Sequence, residues 1–213
     1  MTTLLLLSLG LGILHAFDAD HVMAVSSMAT RRRHWRDSLL FALKWAVGHG
    51  GVLLLIAIAA LWLQWQLPEN ITFLAEKSVG IILIVAGLSI LWTFRRQRVR
   101  LNVHQHGNDV HAHLTQGTQE HHDHSPILVG IVHGVAGSAP ALALIPATLQ
   151  SEFLGLGYIV LFSVGVLVGM SGFGLLLGRT QRWLLHYSPL LFDAGCALLA
   201  AAAMGLGTVW LLS

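Results

Sequence analysis

Two histidines and two aspartates fall in the run His15-Ala16-Phe17-Asp18-Ala19-Asp20-His21, and the sequence around them is apolar enough to cross a bilayer. An ionisable side chain at the centre of a membrane helix costs about 2.5–3.5 kcal/mol on insertion scales, so four together require a compensating partner. Imidazole with carboxylate is a ligand set for a divalent transition-metal ion. His49, set between glycines in Gly48-His49-Gly50, and His133, in Gly130-Ile131-Val132-His133, lie in apolar stretches of their own. A lone buried histidine is most often a hydrogen-bonded core residue. Two beside two carboxylates favour a metal, and His15, Asp18, Asp20, His21, His49 and His133 are the candidate ligands.

The elements that carry these residues follow from composition. Of the 213 residues, 55% are hydrophobic and only 10% charged, where soluble domains carry about 25% charged residues. The expected fold is all-α: a polytopic membrane protein forming one transmembrane domain over residues 1–213. A net charge of +2 gives no reason to expect nucleic acid, and a single cysteine, Cys196, excludes a cysteine metal site. The apolar N-terminus reads as an uncleaved first span.

Six segments are long and apolar enough to span: 4–29, 39–63, 71–94, 126–149, 153–178 and 189–212. Arginines follow the first, third and fifth of these and are missing from the other connections. By the positive-inside rule the arginine-bearing face is cytoplasmic, and both termini lie outside. The tryptophans Trp35, Trp45, Trp62, Trp65, Trp92, Trp183 and Trp210 lie mostly near span ends, as interfacial anchors do.

The chain also repeats itself. Gly12-Ile13-Leu14-His15 recurs as Gly130-Ile131-Val132-His133, and Val47-Gly48-His49-Gly50-Gly51 recurs more loosely as Val168-Gly169-Met170-Ser171-Gly172. Each half holds an odd number of spans, so the halves, 1–94 and 126–213, are expected to be inverted repeats. Secondary transporters built this way bind substrate near the midplane. Between the halves, residues 95–125 are polar and hold His104, His106, His111, His113, His121, His122 and His124, seven of the thirteen histidines. A tract of this composition is an auxiliary metal-binding loop, expected on the cytoplasmic side.

Depth supports a midplane site. His15 lies about 11 residues into the first span, which at 1.5 Å per residue is ~17 Å into a core of ~30 Å. His49 and His133 also reach the middle third. On a regular helix His15, Asp18 and His21 share a face and Asp20 stands apart. Asp20 then either orients a ligand or joins the site through a local opening of the helix, which Gly10 and Gly12 make feasible.

These motifs resemble a known family. His15-x4-Asp20-His21 within His-Ala-Phe-Asp-Ala-Asp-His is similar to the signature of the nickel/cobalt transporters (NiCoT, or NicO). Gly48-His49 resembles that family's second motif, with Gly50 in place of its serine. His133-Gly134-Val135-Ala136-Gly137-Ser138-Ala139 resembles a run in the smaller, six-span, urease-accessory branch. The resemblance implies a permease for Ni²⁺ or Co²⁺, with His15, Asp20, His21 and His49 handling the metal, and with import favoured over export. No resident cofactor is expected. The partners are membrane lipids, the divalent ion and a cytoplasmic metallochaperone. No nucleotide-binding loop is present, so ATP is not expected to drive the process. A reading of another class is a membrane lipid acyltransferase using His15-x4-Asp20 with histidine as general base; its site would sit at a membrane surface and not at midplane. A non-transporting metal sensor is a third reading.

Overall fold

A computed structural model of the chain describes residues 2–30, 34–65, 67–99, 103–106, 109–112, 125–138 and 151–213. Among these, seven helices carry the fold: α1 (Thr2–His15), α2 (Ala19–Ala29), α3 (Trp35–Trp62), α4 (Glu69–Val99), α5 (Ser125–Ala136), α6 (Glu152–Tyr187) and α7 (Pro189–Leu212). Two short strands, β1 (Val103–His106) and β2 (Asp109–Ala112), pair antiparallel between α4 and α5, with His104 opposite His111 in register. Of the His-rich loop, His104, His106 and His111 lie on this hairpin, whereas His113, His121, His122 and His124 lie outside the described residues.

Among the described residues four helices are long and apolar enough to cross a membrane: α3, α4, α6 and α7, the second of these over Glu69–Thr93. The first expected span is not one helix. α1 and α2 meet at a bend of 52° and together have the length and apolarity of a fifth span. The fourth expected span, 126–149, is described only as the shorter apolar helix α5 and the residues just beyond it. Helices α3 and α6 start before their expected segments, α6 runs on past residue 178, and α4 continues past residue 94.

α3 and α6 pack on each other at the centre. α1 lies along α6, α5 lies along α3, and α4 pairs with α7, with α2 wedged between that pair and the central helices. Glycine sets the first two contacts, because a missing Cβ lets backbones approach closely. A Cβ on Gly12 would overlap the Phe162 carbonyl oxygen, and one on Gly165 would overlap that of Leu9. On the other pair, a Cβ on Gly48 would meet the Ile127 carbonyl oxygen, and one on Gly130 that of Trp45. The principal core, Ala16, Val25, Phe41, Trp45, Leu53, Phe162, Val166 and Met170 among others, fills the space these crossings enclose. Large apolar residues such as Leu55, Ile81, Val85, Leu88, Leu176 and Leu198 face outward, as a lipid-facing surface requires.

The close crossings give a direct test. Gly12→Ala and Gly130→Ala each force a methyl into backbone, and each is expected to lower stability by about 1–3 kcal/mol or more. Gly51→Ala and Gly172→Ala, where nothing lies within 4 Å, should be neutral or slightly stabilising. Thermal unfolding of the four variants in detergent, followed by size-exclusion chromatography, checks the contrast.

Candidate metal site

The break between α1 and α2 builds the site. α1 closes with two tightened turns: the Phe17 N–H donates to the Leu14 carbonyl at 2.9 Å, and the Asp18 N–H to that of His15 at 3.0 Å. Asp18 then takes an extended conformation (φ −59°, ψ 146°) and α2 begins at Ala19. The physical cause is in the packing. α1 is held in backbone contact with α6, while α2 leaves to pack on α4 and α7. The opening falls at Ala16–Asp18, later than an opening at Gly12, because Gly12 is committed to the Phe162 contact.

The bend brings three imidazoles together. Donor atoms of His15, His21 and His49 all lie within 4.8 Å of one another. Ring centroids are 4.6 Å apart for His15–His21, 5.0 Å for His21–His49 and 5.4 Å for His15–His49. His21 and His49 are buried and His15 is partly so. Two nitrogens on opposite sides of one ion at ~2.1 Å each are ~4.2 Å apart, so modest ring rotation closes the set on a cation.

Hydrogen bonds fix which nitrogen is available. A carbonyl or carboxylate oxygen accepts, so the ring nitrogen facing it carries the proton. The His21 Nδ1–H donates to the His15 carbonyl at 3.0 Å, and the His15 Nδ1 faces the Asp18 carboxylate at 2.7 Å. Both rings therefore present Nε2 as a free lone pair, the arrangement by which outer partners orient metal-binding histidines. His15 Nε2 and both nitrogens of His49 are buried with no hydrogen-bond partner. Leaving a buried polar atom unsatisfied costs about 1–3 kcal/mol each, and a bound cation would remove that cost at His15 Nε2 and at the one His49 nitrogen that carries no proton.

The two aspartates separate by position. Asp18 is half exposed and pairs with the far side of His15. Asp20, in the first turn of α2, has a carboxylate oxygen 3.9 Å from His21 Nε2, the side where an ion would sit. The regular-helix expectation put Asp18 with the ligands and Asp20 apart; the bend reverses that, because it turns the helix axis between the two residues. His133 on α5 adjoins the cluster, its ring 5.9 Å from that of His21, but it is not one of the three grouped donors.

Trp45 is the residue that sequence reasoning misplaced. It is fully buried and not an interfacial anchor. Its ring stacks on His49 at 5.1 Å and 25°, and it meets His21 at 4.8 Å and His133 at 5.5 Å. Phe162 closes the other side, 5.2 Å from His15. The available signal was the four-residue spacing of Trp45 and His49, which puts both on one helix face. Met170 packs in the apolar core with Ala16 and Phe162.

Several apolar helices of spanning length, with imidazoles buried at the break between α1 and α2, fit the class of multi-pass membrane proteins. The chain belongs to the NicO family, described as high-affinity nickel-transport protein, which it matches over residues 1–206. It is 30% identical over 183 residues to the urease accessory protein UreH of a Bacillus species, covering 84% of this chain and 77% of that protein. It is 24% identical over 183 residues to a protein named for nickel/cobalt efflux in Methanocaldococcus jannaschii, covering 83% of this chain and 77% of that one. No solved structure matches. A nickel-transport family is not a family of enzymes, and the acyltransferase reading is set aside on that ground.

The positions of the carboxylates predict an order of effects. Asp18→Asn, which alters only a partner of His15, should weaken Ni²⁺ binding by about tenfold, and Asp20→Asn should weaken it more. Calorimetric isotherms for both variants check this; the opposite order would make Asp18 the ligand.

Proposed function

We propose that the protein is a secondary permease that carries Ni²⁺ or Co²⁺ across the cytoplasmic membrane, holding the ion between His15, His21 and His49 with the Asp20 carboxylate. The observation that carries this reading is the set of imidazole nitrogens with no partner, gathered inside a membrane domain at a broken span. Nitrogen donors with one carboxylate suit a borderline divalent ion, and the sole cysteine, Cys196, lies on α7 outside the histidine cluster. Asp20 lowers the electrostatic cost of a 2+ charge. The membrane potential can drive entry, since two charges moving through 100 mV are worth about 4.6 kcal/mol.

The proposed architecture is six spans as two inverted repeats, with both termini outside and the His-rich loop in the cytoplasm. Matched glycine contacts support it. Gly12 on Phe162 corresponds to Gly130 on Trp45, and Gly48 on Ile127 to Gly165 on Leu9. In this register His15 corresponds to His133 and His49 to Val166. The looser sequence match of Gly48 with Gly169 is thus displaced by one helical turn. Ions released on the cytoplasmic side would meet the His-rich loop and a metallochaperone.

Import is the favoured direction, in keeping with a high-affinity family description that suits capture of a scarce ion. Export is the second reading, favoured by the archaeal relative's name. Uptake of radioactive nickel by cells, compared with inside-out vesicles under the same potential, separates the two.

His15→Ala and His21→Ala should each abolish transport at normal membrane insertion. Wild-type uptake by either variant removes that residue from the site. Deleting residues 104–124 should lower the rate or shift its concentration dependence and leave transport running, because the loop lies outside the hydrocarbon. Complete loss in a well-inserted deletion would make the loop part of the path.

A further inference from the structure

We propose that His133 is a second station for the transported ion, next to the three-histidine cluster and separate from it, and that the ion passes between the two by exchange of imidazole ligands. The proposal rests on the reading of His15, His21 and His49 as the holding site.

His133 is 1% exposed. Its Nδ1–H donates to the Val129 carbonyl one turn back on α5, at 2.9 Å. That bond satisfies one nitrogen and aims the other away from the helix's own backbone. Nε2 is buried with no partner. A histidine serving only to fill space would leave this nitrogen unmet, where valine or leucine would fill the same volume without the loss. The neighbours are the cluster itself: the His21 ring at 5.9 Å, and Trp45, whose ring lies 5.5 Å away and also stacks on His49.

The backbone holds His133 at this distance. Gly130 and Gly134 press α5 onto α3, with Gly134 against the His49 carbonyl oxygen, so α5 cannot shift along α3 without a clash. The end of α5 abuts the cluster from a second side: a Cβ on Gly137 would lie 3.8 Å from His15 Nε2. An ion bound by His15, His21 and His49 therefore has one more free imidazole nitrogen beside it, on a different helix. A carrier that must release its ion quickly gains from such an acceptor, because each ligand is replaced before the next is lost.

The test uses the full-length protein, with binding and transport measured on the same variants. His133→Ala and His133→Gln are purified in detergent, loaded with Co²⁺ or Ni²⁺ and examined by X-ray absorption and calorimetry. Each is then reconstituted into vesicles holding a metal-sensitive dye. The expected result is an unchanged number of imidazoles around the bound ion, unchanged affinity, and an initial transport rate reduced by about tenfold. Loss of one imidazole from the bound ion would put His133 in the holding site and overturn the two-station proposal. A wild-type transport rate would overturn it as well. The glutamine variant keeps a donor for the Val129 carbonyl and carries the test where the alanine variant does not fold. Wild-type ion coordination in His15→Ala would instead overturn the holding site itself, a separate result.

Discussion

The carbonyl oxygen of His15 is the joint on which the structure turns. It accepts the Asp18 N–H that ends α1 and the Nδ1–H of His21 that ties α2 back to it. In hydrocarbon a helix cannot break unless the backbone groups it frees find partners inside the protein. Here the freed carbonyl is met by the side chain whose other nitrogen faces the cluster. The bond that makes the bend tolerable also sets the tautomer of His21, so backbone geometry and ligand chemistry are one feature.

The same economy holds around the ring of histidines. His15 and His133 use Nδ1 on an oxygen and keep Nε2 free. His49 has neither nitrogen engaged, and its orientation comes from stacking on Trp45. Aromatic walls suit this role. They hold imidazoles in place by shape and exclude water without competing for the ion's ligands.

Much of this was legible in the sequence, for reasons that differ by residue. The His15–His21 run declared itself because charge in an apolar stretch needs a cause. The glycine three residues before each of His15 and His133 suggested a repeat, but Gly12 read as a point where the helix could open and is instead a close-packing contact. Span length exposed α3, α4, α6 and α7. What periodicity could not reveal was the bend at Ala16–Asp18, since it depends on α1 and α2 having different packing partners. Asp18 and Asp20 were therefore assigned to faces of a helix that does not continue through them. Trp45 was hidden for a related reason: a tryptophan reads as an anchor from composition, and only its position one turn from His49, on a helix covered by both α5 and α6, makes it core. In the proposed repeat register the second sequence match is displaced by one turn, because glycine recurs often enough in α6 to offer several registers.

The glycine crossings have a consequence for how such a molecule can move. α1 belongs to the first half of the chain but is clasped to α6 of the second, and α5 of the second half is clasped to α3 of the first. Carbonyl oxygens seated against glycine Cα atoms leave no slack for sliding. The tightest of these contacts join α1 with α6 and α3 with α5, each pair assembled from both halves, like two hands that have exchanged a finger. Glycine also seats α6 on α3, with Gly174 against the Ser38 carbonyl oxygen and Gly178 against the Trp35 backbone, so the two pairs are joined across the very boundary that the sequence draws at residues 95–125. His15 rides on one pair, His49 and His133 on the other, so any movement between the pairs would change the spacing of the histidines.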